Sequence, residues 1–282
     1  MKYRTMLSTA AFAVAMMTSY VTGNAQEQTV KIATEGAYAP WNFTEGGTLK
    51  GFDIDLAKDL CARAKLTCEI IPQAWDGIIP GLNAGKYDAI IAAMGITEKR
   101  RQAIDFTIPY ARARNGFFAE KGSDLAKLPG TGDIVNLAKA DDATKASIEK
   151  MRPLLKGKVI GVQTSSTNAT FLEQYFKNEV EVRQYKTSEE AELDLLSGRV
   201  DAIVQSNISL ATTKKDAKFD AYEIYGPTFF NGPFGAVGIG LRKGDEKLKA
   251  SLDKAVQEAI DDGTVKRLAQ QWFAVDVTPI GE

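Results

Sequence analysis

Arg100 stands in "ITEKR", in the first turn of a predicted helix just past a predicted strand. Free backbone N–H groups and a guanidinium converge there, so a carboxylate would receive bidentate, charge-assisted hydrogen bonds. Its neighbours Lys99 and Arg101 read as solvated charges. The turn "TSST" at 164–167 opens another predicted helix. Ser166 and Thr167 either add donors to the same anion or cap only their own helix. Tyr38 and Trp75 each follow a predicted strand. An aromatic pair suits an aliphatic stem or a planar guanidinium, worth roughly 0.5–2 kcal/mol once desolvated, although aromatic residues also build cores. Glu35 would pair with a guanidinium or ammonium; helix capping or plain solvation is the ordinary alternative. These groups offer recognition rather than bond making. Histidine is absent from the chain, which removes the usual general base, the commonest metal ligand and any Ser-His or Cys-His dyad.

The elements that must hold these groups follow from length and pattern. A chain of 282 residues can bury a sizeable core, as one large or two modest domains. Charge is nearly balanced, 35 basic against 36 acidic residues, so nothing in the total points to nucleic acid or an anionic membrane as partner. Residues 1–25 read as a secretory signal peptide: Lys2 and Arg4 are the positive start, Leu7 to Met17 the apolar stretch, and "GNA" a small-residue site with cleavage after Ala25. The stretch is too short and too rich in Ser and Thr for an anchor, and no later run approaches ~20 apolar residues. Export makes a disulfide between Cys61 and Cys68 the natural reading, with two buried thiols as the alternative. Two cysteines without histidine make a weak zinc site, so neither metal nor cofactor is expected.

From Gln28 the phrases alternate. "QTVKIATE", "TCEIIPQAW" and "YDAIIAAM" read as strands, and "GFDIDLAKDLCARA", "DGIIPGLNAG" and "TEKRRQAIDF" as helices. That is the pattern of an α/β fold with parallel sheets covered by helices. The second half repeats it with "KGKVIGVQTSST", "NATFLEQYF", "VEVRQYK", "TSEEAELDLLSG" and "RVDAIVQS". "GKYDAIIAAM" from Gly85 and "GRVDAIVQSN" from Gly198 are near copies, as two lobes of similar topology would produce. Ligands gather beyond the carboxyl ends of such strands, so "AAMG" and "QSNI" are expected on opposite walls of one cleft. The segment 122–157 has no counterpart in the first half and reads as a polar surface decoration with a short helix near its end. The tail resembles nothing in the second lobe and is expected to return to the first. The expected division is 26–113 plus 233–282 for the first lobe and 114–232 for the second, joined by a hinge of two segments.

In this order, "TEGAYAPWNF", "GFDIDLAKDLCARAKLTC", "WDGIIPGLNAGKYDAII", "ITEKR", "GVQTSST", "LLSGRVDAIV" and "DGTVKRLAQQWF" resemble the periplasmic solute-binding proteins of ABC importers for basic and polar amino acids, the lysine/arginine/ornithine type. The likeness covers essentially the whole mature chain and is greatest to the opine-binding members, which take octopine or nopaline. It implies a two-lobe Venus-flytrap fold, a periplasmic location, a disulfide matching Cys61 and Cys68, ABC permease subunits as partners, a monomer, and binding without catalysis. It further implies Arg100 as the anchor of an α-carboxylate, Tyr38 and Trp75 as a sandwich for the ligand side chain, and Glu35 as the acid meeting a basic group. Met94 falls on the same first-lobe wall, within "AAMG".

The departures from the family pattern bear on the ligand. An aspartate that holds the α-ammonium in amino-acid binders is Ser206 here, and two serines of the first lobe are Ala93 and Gly95. A buried ammonium without a carboxylate is costly, which argues against a free primary amino acid. An opine has a secondary amine and a second carboxylate arm. The arm would use space at Gly95 and donors from Gln163, Ser206 and Asn207, with Asn115 at the hinge as a further candidate. Glycine at 95 is more similar to the nopaline-type pocket. The alternatives are a general receptor for arginine, lysine, ornithine or histidine and, remotely, an enzyme similar to periplasmic cyclohexadienyl dehydratases with Glu35 as acid.

Overall fold

The computed structural model describes Met1 and residues 29–279. Met1 aside, the expected signal peptide and its cleavage site lie outside the described residues. The chain begins with β1 (Val30–Thr34), buried except for Lys31 and rich in the β-branched residues that a central strand favours. It turns into an antiparallel ribbon of β2 (Ala37–Tyr38), β3 (Asn42–Glu45) and β4 (Thr48–Lys50). Helix α1 (Phe52–Arg63) buries Phe52, Leu56 and Leu60 on one stripe, with Asp53 and Asp55 in its first turn and Arg63 in its last, as the helix dipole prefers. The Cys61–Cys68 disulfide, Cα–Cα 6.2 Å, pins the end of α1 to β5 (Cys68–Pro72). A single 3-10 turn at Trp75–Gly77 leads into α2 (Ile78–Asn83), β6 (Ala89–Ile90), α3 (Glu98–Ala103) and β7 (Asp105–Phe106).

The chain then crosses to a second sheet through β8 (Asn115–Glu120), followed by β9 (Ile134–Asn136) and α4 (Asp142–Leu155). The alternation resumes with β10 (Val159–Gln163), α5 (Thr167–Phe176), β11 (Glu181–Tyr185), α6 (Ser188–Leu196), β12 (Ala202–Ser206), α7 (Asn207–Thr213) and β13 (Tyr222–Phe230). A second crossing returns it to the first sheet as β14 (Gly240–Leu241), and α8 (Glu246–Asp261) and α9 (Thr264–Phe273) pack on α1. The strand orders are β5-β1-β6-β14-β7 and β11-β10-β12-β8-β13-β9. This is a periplasmic-binding-protein fold of two α/β lobes.

Where alternation alone predicts parallel sheets, each sheet is mixed. β14 runs antiparallel to β6 and β7, and β8 antiparallel to β12 and β13. Both strands arrive from the opposite lobe, entering at the cleft end with no crossover helix to bring them round parallel. Apolar side chains cover both faces of each sheet: Leu56 and Leu252 against Ile78 and Phe106 in the first lobe, Phe171 and Phe229 against Leu195 and Leu210 in the second. At about 1.5–3 kcal/mol per large buried side chain, these faces hold each lobe together, and hydrogen bonds between lobes contribute much less.

The segment 122–157 is not a surface decoration. Its β9 extends the second sheet beside β13, and α4, at 14 residues no short helix, buries Ile148, Met151 and Leu155 in the lobe's core. The other face of α4 is almost entirely polar, which is why composition alone hid the stripe. Asp141 caps it by accepting from the Thr144 N–H at 2.8 Å. Phe234 still packs on Phe171, centroids 5.1 Å apart, so the return crossing lies beyond the expected 232/233.

Candidate functional site

Side chains from both lobes and both crossings surround one cavity of ≈ 60 Å³. From the first lobe come Glu35 and Tyr38 after β1, Trp75 after β5, Ala92, Ala93 and Gly95 after β6, and Arg100 on α3. The second lobe contributes Asn115 on β8, Gln163 on β10, Ser166, Thr167 and Asn168 at the start of α5, and Ser206 at the end of β12. Ala113, Phe234, Gly235 and Val237 close it at the crossings. On this scale about four waters would fill the space, so a solute the size of arginine enters only when the lobes part.

Hydrogen bonds between described residues span the lobes. Gln163 Nε2 donates to Glu35 Oε1 at 2.6 Å, and Trp75 Nε1 to the Thr164 carbonyl at 3.1 Å. Arg100 Nη2 donates to the Ser165 carbonyl at 3.1 Å, and the Ser206 N–H to the Tyr38 hydroxyl at 3.3 Å. The lobes are closed on each other. Arg100 also donates through Nη1 to the Gly95 carbonyl at 2.9 Å and lies over the Trp75 ring, 5.1 Å from its centroid. It has carbonyl partners and a π-face but no carboxylate, and burial pulls its guanidinium down to about 10. Lys99 and Arg101 are exposed.

Glu35 is the only acid among the residues lining the cavity, and Arg100 the only base. Burial pushes the Glu35 carboxyl up to about 7, against the opposing effect of the Gln163 hydrogen bond. Burial likewise takes the Tyr38 hydroxyl to about 12. Ser166 is committed locally: its hydroxyl donates to the Gln163 carbonyl at 2.6 Å and accepts from the Ala169 N–H at 3.1 Å as the cap of α5. Ser206 Oγ accepts from the Ile208 N–H at 3.3 Å and caps α7.

Two of the expected site residues lie elsewhere. Met94 is fully buried in the first lobe's core with Leu82 and Ile104: the chain bends at Ala93, φ 47°, so that Ala92, Ala93 and Gly95 line the cavity and Met94 does not. Asn207 begins α7, and that turn carries it out of the cavity into a pocket behind the crossings with Arg112 and Ala113. Gly95 departs from expectation in another way. A Cβ there would stand 2.4 Å from the Phe234 carbonyl and 3.1 Å from Thr167 Cγ2. The missing side chain makes room for the returning backbone.

The structure adds residues that the sequence reading passed over. Trp41 and Asn168 line the cavity, the first in the same "YAPW" turn as Tyr38, the second one step past Thr167. Behind the wall, Asp53 accepts from Asn42 Nδ2, the Ala93 N–H and the Tyr110 hydroxyl, each at 2.8 Å. Burial pushes its carboxyl up to about 7. That bond holds Ala93 in a left-handed conformation, φ 47°, unusual for a residue with a side chain. Among the described residues, no group of three or more acidic or cysteine side chains is placed to hold a metal ion, and no helix is long and apolar enough to cross a membrane.

Residues 30–275 match the family model of the bacterial extracellular solute-binding proteins, family 3. The chain belongs to that family. This family 3 solute-binding protein is similar to the octopine-binding periplasmic protein of Rhizobium meliloti, at 43% identity over 99% of this chain and 100% of that one. It is also similar to the L-arginine-binding protein of Pseudomonas aeruginosa, at 34% identity over 90% and 91% of the two chains. Its structure resembles that of an ancestral arginine-binding protein bound to arginine, with a TM-score of 0.73, 35% identity, and 87% and 98% of the chains covered. These relatives are binding proteins rather than enzymes.

Proposed function

We propose that this chain is a periplasmic receptor that closes on an arginine-derived opine, octopine or nopaline, and delivers it to the membrane subunits of an ABC importer. The observation that carries this reading is the charge of the cavity: one guanidinium, Arg100, and one carboxylate, Glu35, with Ser206 at the end of β12. Arginine brings two positive groups and one carboxylate, leaving a closed site with one uncompensated positive charge. Octopine brings two of each sign and leaves none. An unpaired buried charge costs several kcal/mol, enough to decide between the two. Nopaline adds a third carboxylate and is the less balanced of the opines, though Thr167 and Asn115 remain as donors for its arm.

In this reading Arg100 leaves its carbonyl partners for the α-carboxylate, Tyr38 and Trp75 flank the aliphatic stem, and Glu35 leaves Gln163 for the ligand guanidinium. Met94 and Asn207 have no role. The chain acts as a monomer, loses its leader after Ala25, and catalyses nothing: incubation with arogenate or prephenate returns no product. Calorimetry with octopine, nopaline, arginine and lysine tests the ligand class. An opine binds at least about tenfold, or ~1.4 kcal/mol, more tightly than arginine; tighter binding of arginine would make the chain a general basic amino-acid receptor, the reading that the arginine-binding relatives favour.

A further inference from the structure

Tyr38 has a second pocket on its other side. A space of ≈ 320 Å³ lies between the β2–β3 ribbon of the first lobe and α6, α7 and the following turn of the second. Its lining includes three carboxylates, Glu189, Glu192 and Asp216, and no lysine or arginine. Asp216 is partly balanced by Lys218 at 3.3 Å, and neither of the other two forms an ion pair among the described residues. Glu192 accepts from Gln205 Nε2 at 3.1 Å and from Thr213 Oγ1 at 3.0 Å, both on Oε1, so Oε2 has no protein donor. Gln205, 2% exposed and lining the same pocket, leaves its own Oε1 without a donor. Two acceptors await hydrogen-bond donors in a place where burial and the neighbouring acids already push the Glu192 carboxyl up. The rings of Tyr38, Phe43 and Phe219 complete the lining.

We propose that this pocket is a second binding site, for a small organic cation bearing an ammonium or guanidinium, and that its occupation stabilises the closed form. Carboxylates beside aromatic faces suit such a cation, which supplies both N–H donors and a charge for the rings. A metal ion would need a cluster of ligating side chains, and none is present among the described residues. Because the walls come from both lobes, a cation bound there must lose a wall when the lobes open, so it favours closure. The inference is independent of which solute fills the main cavity.

The test uses methylguanidinium with the mature protein, read by the NMR signals of the Gln205 side-chain amide and by Tm, against sodium chloride at matched ionic strength. The expected result is a saturable shift and a rise in Tm that sodium chloride does not reproduce. Glu192→Gln weakens the interaction at least about tenfold, as removal of a buried charge partner does. If that variant fails to fold, the surface pair Glu189→Gln and Asp216→Asn carries the same expectation with a smaller loss. Equal binding by the acid-deleted variants or an equal effect of sodium chloride each overturns the proposal.

Discussion

The two lobes build the same corner twice and finish it differently. In each, a helix ends at a glycine with positive φ, Gly85 at 74° after α2 and Gly198 at 69° after α6. The next N–H reaches back into the last turn, Lys86 to the Gly81 carbonyl and Arg199 to the Asp194 carbonyl. An aspartate then fastens the corner to the sheet: Asp88 Oδ2 accepts from the Lys31 N–H at 2.9 Å, and Asp201 Oδ2 from the Val159 N–H at 2.8 Å. Beyond that point the copies part. After β6 the first lobe bends through Ala93 with small residues facing the cavity. After β12 the second runs straight from Ser206 into α7. Backbone chemistry fixes the shared corner, and it leaves the strand ends free to differ in what they offer a ligand.

The largest way to break this comparison is at the charged end of the first lobe. Arg100→Ala should weaken binding at least about 100-fold by calorimetry, the loss of a buried charge-assisted pair; a loss below tenfold would remove Arg100 from the anchor's role. Gly95→Ser comes next. Its new side chain meets the Phe234 carbonyl, so closure should become unfavourable by roughly 1–3 kcal/mol, with small-angle scattering showing a more open liganded form.

Ser206→Asp gives the second lobe an acid at its strand end. We expect arginine to bind about tenfold tighter and octopine about tenfold weaker. Unchanged selectivity would sever the charge argument.

A pH series probes the contact between the lobes. In the closed, ligand-free form Glu35 sits near 7, above its ordinary 4.5. A raised acid favours the state that buries it at low pH and opposes that state as pH rises from about 4.5 through 7, here by on the order of 3 kcal/mol. Ligand-free protein should therefore open as pH rises through that window, and Glu35→Gln should flatten the profile, read by distance measurements between labelled lobes. The smallest effect on binding belongs to Cys61→Ser with Cys68→Ser. It should lower the first lobe's stability by about 2–3 kcal/mol yet leave ligand affinity within about twofold, because the bridge ties only α1 to β5.

Much of the scaffold was legible because it rests on local rules. The stripe of α1 and the Gly-ended helices sit where pattern places them. The Thr187 cap of α6 does too, accepting from the Glu190 N–H at 3.2 Å, although Glu190 reaches back to the Lys186 N–H rather than to that of Thr187. The site was legible only in outline. Arg100, Tyr38, Trp75 and Glu35 all line one cavity, but Met94 and Asn207 each lie one residue from its wall, because the bend at Ala93 and the first turn of α7 set their directions and neither is visible in composition. Asp53 was hidden because its partners Asn42, Tyr110 and Ala93 are distant in sequence.

The sequence by itself determined two α/β lobes, one disulfide-ready pair, and one guanidinium, one acid and two aromatic rings placed near element ends, because periodicity, capping and residue type act over a few neighbours. Only the tertiary structure decided that Gly95 admits the Phe234 backbone, that Glu35 meets Gln163, and that the acids of α6 face an aromatic pocket behind Tyr38. Those outcomes depend on how the lobes close on each other, and a contact between them is set by shape and desolvation across the cleft rather than by any local run of residues.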